Sequence, residues 1–135
     1  MGLDMYAYTV KASLIGDQQV DIKMHNPDGE RLFPRDSNME FAYWRKFNNL
    51  HQWMAELYYK KGGKLDSFNC TTVRLMPDDL ARLRSQAAGL KPQSGFFWGD
   101  ETEMSLEDTQ QVYDFVDKAL AAIEDGNAVL YDSWW

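Results

Sequence analysis

Aromatic side chains crowd into three segments spaced along a chain of 135 residues: Tyr43-Trp44-Arg45-Lys46 running into His51-Gln52-Trp53, then Gln93-Ser94-Gly95-Phe96-Phe97-Trp98-Gly99, and finally Tyr131-Asp132-Ser133-Trp134-Trp135. Each ring carries about 150–250 Å² of surface, which must go into a core or a contact. A fold this small has few places to put them. The expectation is that the rings around Trp44, Phe97 and Trp134 converge on one neighbourhood, partly packed and partly available to a ligand or partner.

A chain of 15.7 kDa matches the commonest size of a single domain and can bury a substantial core. One domain over residues 1–135 is expected, with no linker, repeat or low-complexity tract to divide it. No apolar run reaches the ~20 residues of a membrane span. The stretch Met1-Gly2-Leu3-Asp4-Met5-Tyr6 has an acid where a secretory signal carries positive charge, and one cysteine, Cys70, excludes an intramolecular disulfide. These features point to the cytoplasm and away from a membrane.

The net charge of −7 is unevenly distributed. Between Asp100 and Asp125 nine acids face the single base Lys118, whereas residues 31–64 hold seven bases against three acids. A net-acidic chain gains little from displacing counterions on a phosphate backbone, so duplex nucleic acid is disfavoured as a partner. The plain interpretation of the acidic stretch is a solvated helix face.

Leu3 to Val10 alternates Leu3, Met5 and Ala7 against Asp4, Tyr6 and Tyr8, which predicts a strand. Gln18 to Met24 alternates too, and Asn26-Pro27-Asp28-Gly29 supplies a turn leading to Arg31-Leu32-Phe33, which predicts a hairpin. Ser37 with Glu40 has the spacing of a capping box, predicting a long helix to about Lys61, ended by Gly62-Gly63. Its stripe would be Trp44, Phe47, His51, Met54 and Tyr58. Cys70 to Leu75 reads as a strand, with Cys70 a strand filler, and Pro77-Asp78-Asp79 opens a second helix that Gly89 and Pro92 stop. Ser105 and Asp108 open a third, with Leu106, Thr109, Tyr113, Val116, Leu120 and Ile123 as its stripe and Gly126 at its end. Ala128 to Trp134 alternates as a last strand. The predicted class is α+β: a small mixed or antiparallel sheet of about four strands packed against three helices.

No constellation announces catalysis. His51 sits in an apolar stripe with no carboxylate three or four residues away, which favours a hydrogen-bonded core histidine over a general base. His25, His51 and Cys70 lack metal-ligand spacing, and no phosphate loop, dinucleotide fingerprint or nucleophile elbow occurs. Neither a cofactor nor a metal is expected, and the balance lies against an enzyme. The run Phe96-Phe97-Trp98 cannot point all three rings inward from an extended segment. Either Phe97 plugs a gap beneath the acidic helix, or Phe97 and Trp98 form a recognition lip.

The start Met1-Gly2-Leu3-Asp4-Met5-Tyr6, the motif Tyr43-Trp44-Arg45-Lys46 with Asn48, His51 and Trp53, the loop Gln93-Ser94-Gly95-Phe96-Phe97 with Gly99, and Ser133-Trp134 resemble a family of small proteins encoded by bacteriophages and prophages. The family has no established activity. What the resemblance implies is a setting, an infected or lysogenic bacterium in which small acidic proteins act by binding a host component. Two functions follow as expectations. One is a non-enzymatic protein, monomer or homodimer, that modulates a host or phage macromolecule through an aromatic surface drawn from Tyr43, Trp44, Phe97, Trp98, Trp134 and Trp135. The other is a small-ligand or nucleotide-binding domain whose pocket gathers Arg45, His51, Gln93 and Ser94.

Overall fold

A computed structural model describes residues 2–25, 28–32, 40–91 and 104–135. In chain order the elements are β1 (Asp4–Lys11), β2 (Met24–His25), β3 (Arg31–Leu32), β4 (Glu40–Arg45), α1 (Asn48–Lys60), β5 (Thr72–Leu75), α2 (Pro77–Gln86), α3 (Leu106–Glu124) and β6 (Asn127–Trp134). The main sheet is antiparallel throughout, in the order β4-β1-β6-β5, and β2 and β3 form a separate hairpin. The class is α+β, as expected. The Asn26-Pro27 half of the expected turn, the Ser37 cap and the Gln93 to Gly99 loop lie outside the described residues.

The two central strands come from opposite ends of the chain. β1 and β6 pair without interruption from Asp4↔Trp134 to Lys11↔Asn127. Alternation then sorts their side chains onto two faces. Leu3 just before β1 and Met5 and Ala7 within it, with Val129 and Tyr131 of β6 and Val73 and Leu75 of β5, join the main core against all three helices. Tyr8 and Val10, with Ala128 and Leu130, build a second, smaller core on the outer face beneath Ile15 and Met24.

The helices follow local chemistry. Pro77 occupies the first turn of α2, where its missing N–H is no loss, and the Asp79 carboxylate accepts from the Met76 N–H at 2.9 Å. Ser105 caps α3, its hydroxyl accepting from the Asp108 N–H at 3.0 Å while the Asp108 carboxylate accepts in return from the Ser105 N–H. The inward face of α3 is Thr109, Val112, Phe115, Val116 and Ala119, so the predicted stripe is rotated to one side of the true one. Leu106, expected within it, is 92% exposed at the first position of the helix.

The largest departure is β4. The residues 40–45 expected in the first turns of a long helix form a strand on β1, and the helix begins only at Asn48. Aromatic residues at 41, 43 and 44 favour an extended chain with sheet neighbours on either side of the pleat. Lys46 then takes a left-handed conformation (φ 57°) that swings the chain from strand into helix. Cys70 also differs from expectation: it is exposed, with φ 58°, in the bend before β5.

Candidate functional site

The outer face of the sheet is covered unevenly. Ala12, Leu14, Ile15, Ile22, Met24 and Leu32 pack at its Tyr8 and Val10 end in the second core. The other end is built from the row Arg45, Asp4 and Trp134 and the row behind it, Tyr43, Tyr6 and the buried Asp132. Met5 faces the helices, so its neighbours Asp4 and Tyr6, and the residues paired with them, face outward. Here Tyr43 is 50% exposed, Trp134 58% and the Arg45 side chain 60%.

These outward groups are ordered by one another. The Tyr43 hydroxyl donates to the Asp4 carboxylate at 2.7 Å, and the same oxygen lies 3.8 Å from Arg45 Nε. That hydrogen bond to Asp4, helped by slight burial, raises the Tyr43 phenol above its ordinary value. Tyr6 contacts the Tyr43 ring at 5.3 Å and stacks on Tyr8 at 6.0 Å, which continues the surface into the second core. An exposed patch of tyrosine, tryptophan and arginine backed by a packed sheet has the composition of a contact surface.

Trp44 alternates to the opposite face. Its ring meets Phe115 edge-on at 5.0 Å in the helix-side core, where Phe115 also stacks on Phe41. Trp44 and Trp134 are therefore separated by the sheet, and the expected single aromatic neighbourhood divides in two. Beside β4, a cavity of about 460 Å³ lies between Arg45, Lys46, the start of α1 and the first turns of α3, with Asn49, Asp108 and Gln111 on its walls.

His51 is buried on the helix side, its Nδ1 2.8 Å from the Tyr131 hydroxyl and its ring stacked 5.6 Å from Phe68. Burial disfavours its charged form and lowers its pKa from 6.5 to about 4, so it is neutral near pH 7. Burial, reinforced by the Asp132 charge and opposed by nearby Ser133, holds the Tyr131 phenol well above its usual range. The Ser133 hydroxyl itself is fully buried and meets no hydrogen-bond partner in direct geometry. The imidazole and the phenol are thus hydrogen-bonded to each other within the helix-side core.

Trp135 returns toward the helices. Its backbone N–H donates to Asn69 Oδ1 at 3.0 Å, its carbonyl accepts from Asn69 Nδ2 at 2.9 Å, and its indole donates to the Phe68 carbonyl at 3.1 Å. Together with His51 it lines a second cavity of about 250 Å³. Arg45 and His51, expected in one pocket, line different cavities. Gln93, Ser94, Phe97 and Trp98 lie outside the described residues. No group of three or more His, Cys, Asp or Glu arranged to hold a metal occurs among the described residues. No helix among them is long and apolar enough to cross a membrane.

Asp4 and Tyr6 were not singled out as site residues in the sequence. The alternation of β1 already placed them on one side, and what was missing was the pairing of β4 with β1. Comparison with protein-family models, with curated proteins and with solved structures returns no match.

Proposed function

We propose that the protein is a non-enzymatic binding protein whose contact surface is the aromatic end of the outer sheet face, and that its partner is a macromolecule of a phage-carrying bacterial cell. One observation carries this reading: Tyr43 and Trp134 stand half-exposed on the same face, on either side of β1, with Arg45 between solvent and Asp4. Rings displayed from strands have lost most of their freedom before binding, so little entropy opposes a contact there. The arginine adds a directional charge at the rim.

The test is comparative capture from bacterial lysate. A bound protein should be released, with affinity reduced about tenfold or more, by Trp134→Ala and by Tyr43→Ala, and retained by Leu106→Ala on the helix side. Identical capture by all four chains would refute the assignment. Both substituted rings are exposed, so loss of binding would not reflect loss of fold.

A small-ligand reading is supported by the 460 Å³ cavity, where Arg45 and Lys46 bring two cations to one wall. Isothermal titration with a nucleoside monophosphate, with Arg45→Ala as control, separates it from the first reading, which predicts no heat.

A further inference from the structure

In the order of the main sheet β4 stands at one edge, beside β1. The Lys46 N–H donates to the Leu3 carbonyl at 2.7 Å, which fixes the phase of that ladder. Main-chain groups of Ala42, Trp44 and Lys46 turn toward β1, and those of Tyr43 and Arg45 turn away from it. Among the described residues no hydrogen bond reaches the N–H or C=O of Tyr43 or Arg45. Two donors and two acceptors thus stand in a row beside the cavity of about 460 Å³, whose wall includes the unbroken run from Tyr43 to Phe47. The open row is short. At one end Phe41 is an extra residue where the pairing slips between Ala7 and Tyr8, and at the other the left-handed Lys46 (φ 57°) turns the chain away.

A row of alternating main-chain donors and acceptors is matched by an extended chain, which presents the same repeat. Charge selects its composition. Arg45 and Lys46 are exposed at the same end of the row, and α1 starts there without a side-chain cap, so its N-terminus adds partial positive charge. Asp108 is the one acid among the described residues lining the cavity, and its carboxylate accepts from the Ser105 N–H at 3.3 Å. A second copy pairing through its own β4 would bring two more cations against these. We propose that β4 takes up an extended acidic segment of a partner protein as a further strand, antiparallel like the rest of the sheet, with a carboxylate side chain opposite Arg45 and an apolar one opposite Tyr43. The cavity is then the groove of a strand and not a small-ligand pocket. The inference rests on main-chain groups of the edge, apart from the role proposed for the outer face.

The probe is the peptide acetyl-Thr-Glu-Thr-Val-Thr-amide, titrated into the isotopically labelled full chain while amide hydrogen exchange is read along β4. In the free protein the Tyr43 and Arg45 amides should exchange freely and the Trp44 amide, turned toward Met5, should be protected. Saturating peptide should slow exchange at Tyr43 and Arg45 about tenfold or more and leave Trp44 as it was. Methylating the peptide nitrogen of Glu or of Val, both of which face β4, should weaken binding about tenfold, and methylating the middle Thr, whose N–H points away, should not. Exchanging the peptide's Glu for Lys, or Arg45→Ala in the protein, should weaken binding by a similar factor while the resonances stay dispersed. Absence of peptide-induced protection, or equal loss from all three methylations, would overturn the assignment. So would protection of Tyr43 and Arg45 already present in the free protein, and its loss on dilution would identify a second copy as the occupant. None of these outcomes involves Trp134 or a lysate, so failure here is distinct from failure of the outer-face reading.

Discussion

At the scale of single residues, burial decides what titratable groups can do. His51 keeps its proton off in the folded protein down to about pH 4, whereas in the unfolded chain it takes one near 6.5. The unfolded state therefore binds more protons across that window, and stability falls as the pH drops from 6.5 toward 4, by about 3 kcal/mol. Urea denaturation at pH 7, 5.5 and 4.5 should show this loss in the native chain and a much flatter profile in His51→Gln. Equal slopes would mean that the imidazole is solvated. A different constraint acts at Gly63, where an added methyl would land on the buried Tyr58 ring. Tyr58 cannot yield, because its hydroxyl donates to Asp21 at 2.7 Å and its ring stacks on Phe68. Gly63→Ala should cost about 1–3 kcal/mol in the same assay. That His51 is a core residue was legible from its apolar helical neighbours. Its Tyr131 partner was not, being 80 residues away in sequence.

At the scale of elements, a buried ionic junction ties α1 to α2. Lys61, at the end of α1, donates to the Arg74 carbonyl at 2.6 Å and to Gln19 Oε1 at 2.9 Å, and pairs with Asp79 in the first turn of α2, which Arg82 also holds at 2.7 Å. Burial lowers the Lys61 pKa, with Asp79 only partly offsetting it. For Asp79 burial raises the pKa, but Lys61, the Met76 N–H and Arg82 together outweigh it and leave the carboxyl below its usual value. The Asp79 contribution is thus present above the unfolded-state value near 3.8 and lost as the pH falls through the lower folded value. Lys61→Met leaves the buried Asp79 with only the Met76 N–H and Arg82, and a loss of about 3 kcal/mol in chemical denaturation is expected. A change under about 0.5 kcal/mol would show that Arg82 suffices. The starts of α2 and α3 were readable because their signals, Pro77 with its acids and Ser105 with Asp108, act within one turn. β4 was misread because Ser37 and Glu40 match a capping pattern by spacing alone, while the evidence for a strand is its pairing with residues 4–8, which lies far away in sequence.

At the scale of the molecule, the two faces of one sheet differ. Among the described residues its helix-side face carries the main core, while its outer face carries the second core at one end and the partly exposed Tyr43, Arg45 and Trp134 at the other. The sheet is also closed by its extremities, since β6 supplies a central strand between β1 and β5. Deleting residues 127–135 should abolish cooperative unfolding, whereas Trp134→Ala should leave the midpoint nearly unchanged. The two-faced alternation was visible in β1 and β6, but that Ile15, Ile22 and Met24 pack over the Tyr8 and Val10 end of the outer face is a long-range outcome that no local pattern encodes. The binding role is tested most directly by photo-crosslinking, with p-benzoylphenylalanine placed at position 43 and, separately, at position 106, in bacterial lysate. A discrete protein adduct from position 43 that is absent from position 106, and that Trp134→Ala suppresses, is the predicted result. Adducts of equal yield from both positions, or none from position 43, would contradict it.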